Sequence, residues 1–182
     1  MGISIPTSAR FMNLKEYEIV SGVFGDTLPY RRRILITNGA GVDGRAFTIP
    51  TSLVSTLLGT AATGYIGLIS GYLTSFINAG YLINVGSKYD KLADTEKDLL
   101  VHETAHVWQG KNSKMALTYV FNSCLDQCLF GNGAYNFTPG KDWTSYGVEQ
   151  QASIVEEWFA KGSQESDKLF PYIRDYVRKG IA

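Results

Sequence analysis

The sequence predicts an α+β fold, with a small N-terminal sheet followed by a mainly helical bundle. Short apolar runs bounded by Gly, Asn and Pro are confined to the first half: RRILITNGAG, GRAFTIP and GYLINVGSKY. Such runs read as strands. From Thr95 onward apolar residues recur at helical spacing through TEKDLLVHETAHVWQGK and three later segments. Strands first and helices afterwards is the order of an α+β chain. The 182 residues suit one domain over 1–182, burying roughly 70% of the surface its unfolded chain exposes.

Taken in order, NLKEYEIVSGVFG has apolar residues at helical spacing and ends on glycine, which predicts an amphipathic helix over 13–24. RRILITNGAG predicts a strand running into a turn, GRAFTIP a second strand and GYLINVGSKY a third. For the helix that follows, Thr95 is the expected cap. Glu96 and Asp98 suit its N-terminal dipole, and Gly110 with Lys111 closes it. KMALTYVFNSCLDQCLFG is the next expected helix, and a Gly/Tyr/Asn-rich loop runs from Gly131 to about Tyr146. GVEQQASIVEEWFAKG and ESDKLFPYIRDYVRKG complete the bundle, the second expected to break at Pro171.

Between Ala46 and Ser87 there is no charged residue. Within it, residues 52–79 are long enough to span a bilayer and contain Gly67 and Gly71 at a helix-packing spacing. Gly, Ser, Thr and Asn interrupt the stretch too often for a membrane span, and no basic flank follows at once. The expectation is an uncharged apolar insertion, a helical pair or flap beside a cleft. Membrane contact is the less favoured reading.

Seventeen basic residues balance seventeen acidic ones, so no global field attracts nucleic acid. The short run Arg31, Arg32, Arg33 reads as a solvated strand entrance. Cys124 and Cys128 lie four apart, a spacing that a regular helix rarely closes into a disulfide, and read as free, partly buried thiols. The opening MGISIPTSARF lacks the basic, apolar and small-residue regions of a secretory signal. The expectation is secretion without a signal peptide.

The chain's two histidines, His102 and His106, stand in LLVHETAHVWQGK with Glu103 between them. Residues four apart lie ~40° apart around a helix, so both imidazoles can reach one ion. Glu103 projects beside them, placed to take a proton from a metal-activated water. That is the HExxH arrangement of zinc hydrolases. With no histidine left, the third ligand is a carboxylate or a thiolate. Glu149, opening a helix with small Ala152 three residues on, is the first candidate, followed by Glu156 and Asp142. The oxyanion stabiliser is sought at Tyr146 or Tyr135. Gln109 is read either as an amide supporting the site or as a helix-end side chain, and Trp108 as core.

HETAHVWQ followed by VEQQASIVEEWF resembles the gluzincin metallopeptidases. More narrowly, HExxHxxQ with the EQQA stretch resembles the small zincin domains of bacterial contractile injection systems, including metallopeptidase domains of type VI VgrG spike proteins. The resemblance covers most of residues 13–162. It implies a minimal zincin-like domain with His102, His106 and Glu149 as zinc ligands and Glu103 as general base. The sequence departs from the ExxxD form at Ser153, where an aspartate would orient a ligating histidine.

The function expected is zinc-dependent amide hydrolysis by a secreted, injected antibacterial effector, acting in the target cell or its periplasm. Its substrate would be a protein or peptidoglycan peptides, and its partners a secretion spike and an immunity protein. Two other classes stand beside it. One is a zinc-binding structural or interaction module of a secretion particle. The other is a membrane-active toxin working through residues 52–79.

Overall fold

A computed structural model of the chain describes residues 4–41, 44–53, 80–113 and 135–182. It is an α+β protein that parts into two compact units. One holds residues 1–17 and 29–96, the other 18–28 and 97–182.

The first unit is built on a four-stranded sheet of order β1-β2-β4-β3. Its strands are β1 (Ala9–Phe11), β2 (Ile34–Thr37), β3 (Phe47–Pro50) and β4 (Tyr81–Asn84). β2 and β4 are central and parallel, in the register Ile34↔Tyr81 to Thr37↔Asn84. Strands buried on both faces carry continuous rather than alternating apolar residues, and ILIT and YLIN do so, with Ile34, Ile36, Leu82 and Ile83 fully enclosed. The two polar strand ends satisfy each other, Thr37 Oγ1 donating to Asn84 Oδ1 at 2.6 Å. β1 and β3 are antiparallel edges. Pro50 is tolerated in β3 because an edge strand can leave one side of its backbone unpaired.

The three strands expected from the sequence are present. β1 is the addition, a three-residue edge pairing Ala9↔Thr37 to Phe11↔Leu35. Arg10 on that strand forks onto Glu16, both contacts at 2.7 Å, donates to the Tyr89 carbonyl at 2.9 Å and lies over the Tyr89 ring. Glu16 in turn closes a capping box at the start of α1 (Leu14–Phe24). Its carboxylate accepts the Asn13 N–H while Asn13 Oδ1 accepts the Glu16 N–H, each at 2.9 Å. Glu16 is 1% exposed and Arg10 28%. Removing the guanidinium strands a buried carboxylate, so Arg10→Met is expected to cost roughly 2–4 kcal/mol, below the ceiling for a wholly buried pair. Urea unfolding reads this directly, and a loss under about 0.5 kcal/mol would show that the fork holds nothing.

The second unit carries α2 (Lys97–Asn112), α3 (Val148–Ala160) and α4 (Phe170–Asp175). α2 starts two residues beyond the expected Thr95 cap, because Thr95 and Glu96 close a turn on the Lys91 carbonyl instead. It runs on through Gly110 to Asn112, whose side-chain amide donates to Trp108 and Thr27 carbonyls. Trp108 is core, as expected, 1% exposed, with Phe24 and Trp143 rings against it and its N–H shared between Thr27 Oγ1 and the Val177 carbonyl. Pro171 does not break a helix. It sits in the first turn of α4, where its missing N–H has no partner to lose. The expected 114–131 helix, with Cys124 and Cys128, and nearly all of the 52–79 insertion lie outside the described residues.

Candidate metal centre

α2 buries residues around most of its circumference, including the polar His102, Glu103, Thr104 and Gln109. A helix enclosed in this way needs a partner for every such group, because burying an unpaired polar atom costs several kcal/mol. For His102 and Gln109 the neighbour that supplies them is α3, which packs along it. Ala105 and Ala152, both without exposure to speak of, let the two helices approach.

α3 places Glu149 in its first turn. The Gly147 N–H that precedes the helix is capped by Gln150 Oε1 at 3.0 Å. Glu149 is 1% exposed and its Oε2 lies 3.3 Å from His102 Nε2 and 3.4 Å from His106 Nε2. One donor atom from each of His102, His106 and Glu149 falls within 4.8 Å of the others. The imidazole rings stand edge to face, centroids 5.1 Å apart. These three residues could hold a metal ion.

The fit to a metal rests on more than proximity. His106 Nε2 is buried with no hydrogen-bond partner. Both outer nitrogens, by contrast, are engaged. His102 Nδ1 meets Glu156 Oε2 at 2.8 Å and His106 Nδ1 meets Gln109 Oε1 at 2.9 Å. Outward nitrogens held and inward nitrogens converging on a carboxylate is the arrangement of imidazoles that ligate a cation. Two imidazoles and a carboxylate are donors that divalent transition metals accept.

The electrostatics agree. Burial pulls the His102 imidazole toward the neutral form, but hydrogen bonds to Glu149 and Glu156 and the charge of Glu103 outweigh it, and its pKa rises to about 10. Burial likewise opposes the charge on His106, and Glu149 again overrides it, pushing that pKa upward. The carboxylates thus create a site that favours positive charge, whether protons or a metal ion supply it.

Of the expected site residues, His102, His106 and Glu149 come together, with Glu103 buried beside them on α2. Glu156, second choice for the third ligand, is placed differently. Two turns along α3 it reaches the outward Nδ1 of His102 and supplies the orienting carboxylate for which the resemblance looks to position 153. Asp142 lies exposed in the preceding loop, where its carbonyl accepts from Ser145. The Tyr146 hydroxyl is taken up inside the loop: it donates to the Thr138 carbonyl at 2.7 Å and accepts the Lys141 N–H. Tyr135 is the tyrosine beside the centre, its ring centroid 5.7 Å from that of His102. Gln109 supports the site. Gln151, which receives its amide, lies in the EQQA stretch but has no role legible from the sequence.

A stretch of 67 residues, 36% of the chain, is 34% identical to the type VI secretion system spike protein VgrG2b of Pseudomonas aeruginosa. The matched stretch spans 7% of that relative's length. No protein family's sequence profile matches the chain. No solved structure matches it either.

Proposed function

We propose that this chain is a zinc-dependent peptidase, with His102, His106 and Glu149 as ligands and Glu103 as general base, working as a module of a type VI secretion spike or a protein it delivers. The observation that carries the reading is the convergence of both Nε2 atoms on one buried carboxylate while both Nδ1 atoms are held from outside. The similarity to a spike protein supports the delivery context.

Zinc held there would polarise an amide carbonyl and lower the pKa of water from about 15.7 toward about 7. Glu103 accepts the proton of the attacking water and returns it to the leaving nitrogen, so the C–N bond breaks to a carboxylic acid and an amine. Glu156 and Gln109 keep the imidazoles aimed inward throughout. Tyr135 is the candidate donor to the developing oxyanion. Substrates are proteins or peptidoglycan peptides, and the chain acts outside its own cell. An immunity protein in the producing cell is the expected counterpart.

The likeness to a spike protein also favours a second reading, a zinc-binding interaction module without catalysis. Buried Glu103 beside the ligand set favours the enzyme, since a structural zinc site usually closes its fourth position with Cys or His. Among the described residues no helix is long and apolar enough to cross a membrane. The membrane-active alternative falls on residues 52–79, nearly all beyond those described.

The test is metal-free protein titrated with zinc and assayed on protein and peptidoglycan-peptide substrates. The expected result is uptake of about one zinc per chain, with hydrolysis lost on chelation and restored by zinc. No uptake would end the metal reading. Uptake without hydrolysis of either substrate class would leave the interaction module.

A further inference from the structure

The partners of Gln109 determine more than its own position. Its Nε2 lies 2.9 Å from the Val148 carbonyl and 3.1 Å from Gln151 Oε1, and its Oε1 lies 2.9 Å from His106 Nδ1. A carbonyl oxygen only accepts. Turning the amide over would set two oxygens against each other at the Val148 contact, so the NH₂ must face Val148. The oxygen then faces His106. Since that oxygen also only accepts, the hydrogen between them must belong to Nδ1.

We infer that Gln109 is a positioning residue that holds the neutral ring of His106 as the Nδ1–H tautomer, so that Nε2 is the nitrogen left to a metal. The hydrogen bonds run in one direction: His106 Nδ1–H to Gln109, Gln109 NH₂ to Gln151, and Gln151 NH₂ to the Trp143 carbonyl at 3.3 Å. Each amide in the chain is fixed at its far end by a backbone carbonyl, Val148 for one and Trp143 for the other. Val148 immediately precedes Glu149, so the segment that delivers the carboxylate ligand also selects the tautomer of the histidine ligand.

The two histidines are therefore set by different means. Glu156 can accept from His102 Nδ1 with either oxygen and needs no amide orientation; it also adds a negative charge. Gln109 is neutral and works only because its other end is anchored. The Nε2 of His106, buried without a hydrogen bond and 3.4 Å from Glu149 Oε2, is what a ring oriented for a ligand leaves behind. Ordinary neutral imidazole carries no such constraint, and either nitrogen can hold the proton.

This inference rests on the metal reading for its purpose, but its test does not. Long-range proton–nitrogen correlation spectra assign the protonated nitrogen of each histidine. In metal-free protein at alkaline pH, where the ring is neutral, His106 is expected as the Nδ1–H form alone. In zinc-loaded protein Nδ1–H persists and the Nε2 resonance moves. A neutral ring protonated on Nε2, or zinc bound through Nδ1, overturns the inference even if zinc is taken up. Failure to take up zinc, with the Nδ1–H form intact, sinks only the metal reading. Gln109→Met keeps the volume and removes the amide. Its expected signature is a mixture of His106 tautomers and a 10–100-fold weaker zinc affinity. Gln151→Met, one link further out, is expected to weaken zinc less. A purely structural Gln109 would lower thermal stability in the Met variant yet leave tautomer and zinc affinity unchanged, which would overturn the inference. The wild-type spectra decide the matter should the Met variant not fold.

Discussion

Glu103→Gln is expected to lower kcat for amide hydrolysis by about 10²–10⁴-fold, the range over which a positioned general base acts. Zinc affinity should stay within about threefold of wild type by the following balance. The glutamine occupies the same buried volume on α2 and can still accept a hydrogen bond. What it cannot do is take a proton from water. Two electrostatic effects on the metal oppose each other. Loss of the Glu103 charge weakens attraction for a cation, but that charge also raises the pKa of both His102 and His106. Without it, fewer protons compete for the same nitrogens. Progress curves on one peptide substrate, with zinc bound in both proteins, separate kcat from KM. A residual kcat within tenfold of wild type would remove Glu103 from the mechanism and shift the proton transfer elsewhere.

The centre was legible in the sequence to the extent that it is local. HETAH on a helix already puts two imidazoles on one face, and a glutamate in the first turn of a later helix is a natural third donor. Glu149 therefore came first among three carboxylates by position alone. The role of Glu156 depends on how far α3 runs along α2, a tertiary register that no local pattern encodes. It shares a face with Glu149, which made it a candidate ligand, but two turns carry it to the far side of the His102 ring. Gln151 shows the same limit more sharply: its place in the EQQA stretch is legible, but that it receives the Gln109 amide depends on how the two helices meet.

The fold divides similarly. β2 and β4 stand out because strands buried on both faces read as unbroken apolar runs between turn residues. β1 escapes because three residues on an edge are too few to show a period, and its stability comes from Arg10 reaching Glu16 and Tyr89 far along the chain. Pro171 was legible as a helix disruptor and misplaced as a break. Proline stops a helix from its interior and opens one from its first turn, and only the neighbouring hydrogen bonds tell which applies.

Metal affinity should climb steeply with pH. A raised imidazole pKa means that, in the metal-free protein, the charged His102 and its contacts with Glu149 and Glu156 stabilise the fold fully below the unfolded value of 6.5. That contribution is lost as pH rises through about 10. Metal binds the neutral ring, so it must displace the proton throughout that window. Each displaced proton makes the apparent affinity change tenfold per pH unit. His102 alone then predicts a Kd about 100-fold tighter at about pH 9 than at about pH 7. His106, shifted in the same direction, steepens the slope beyond one. Titration with the free zinc activity held by a metal buffer measures the slope, and proton release on binding gives it independently. The same displacement predicts that thermal stabilisation by zinc grows with pH while the metal-free protein loses stability. A Kd flat between those two pH values would mean that the imidazoles are already neutral without metal. The carboxylates around them would then be offset by some group other than a proton, and Glu149 would no longer have the charged partners its burial demands.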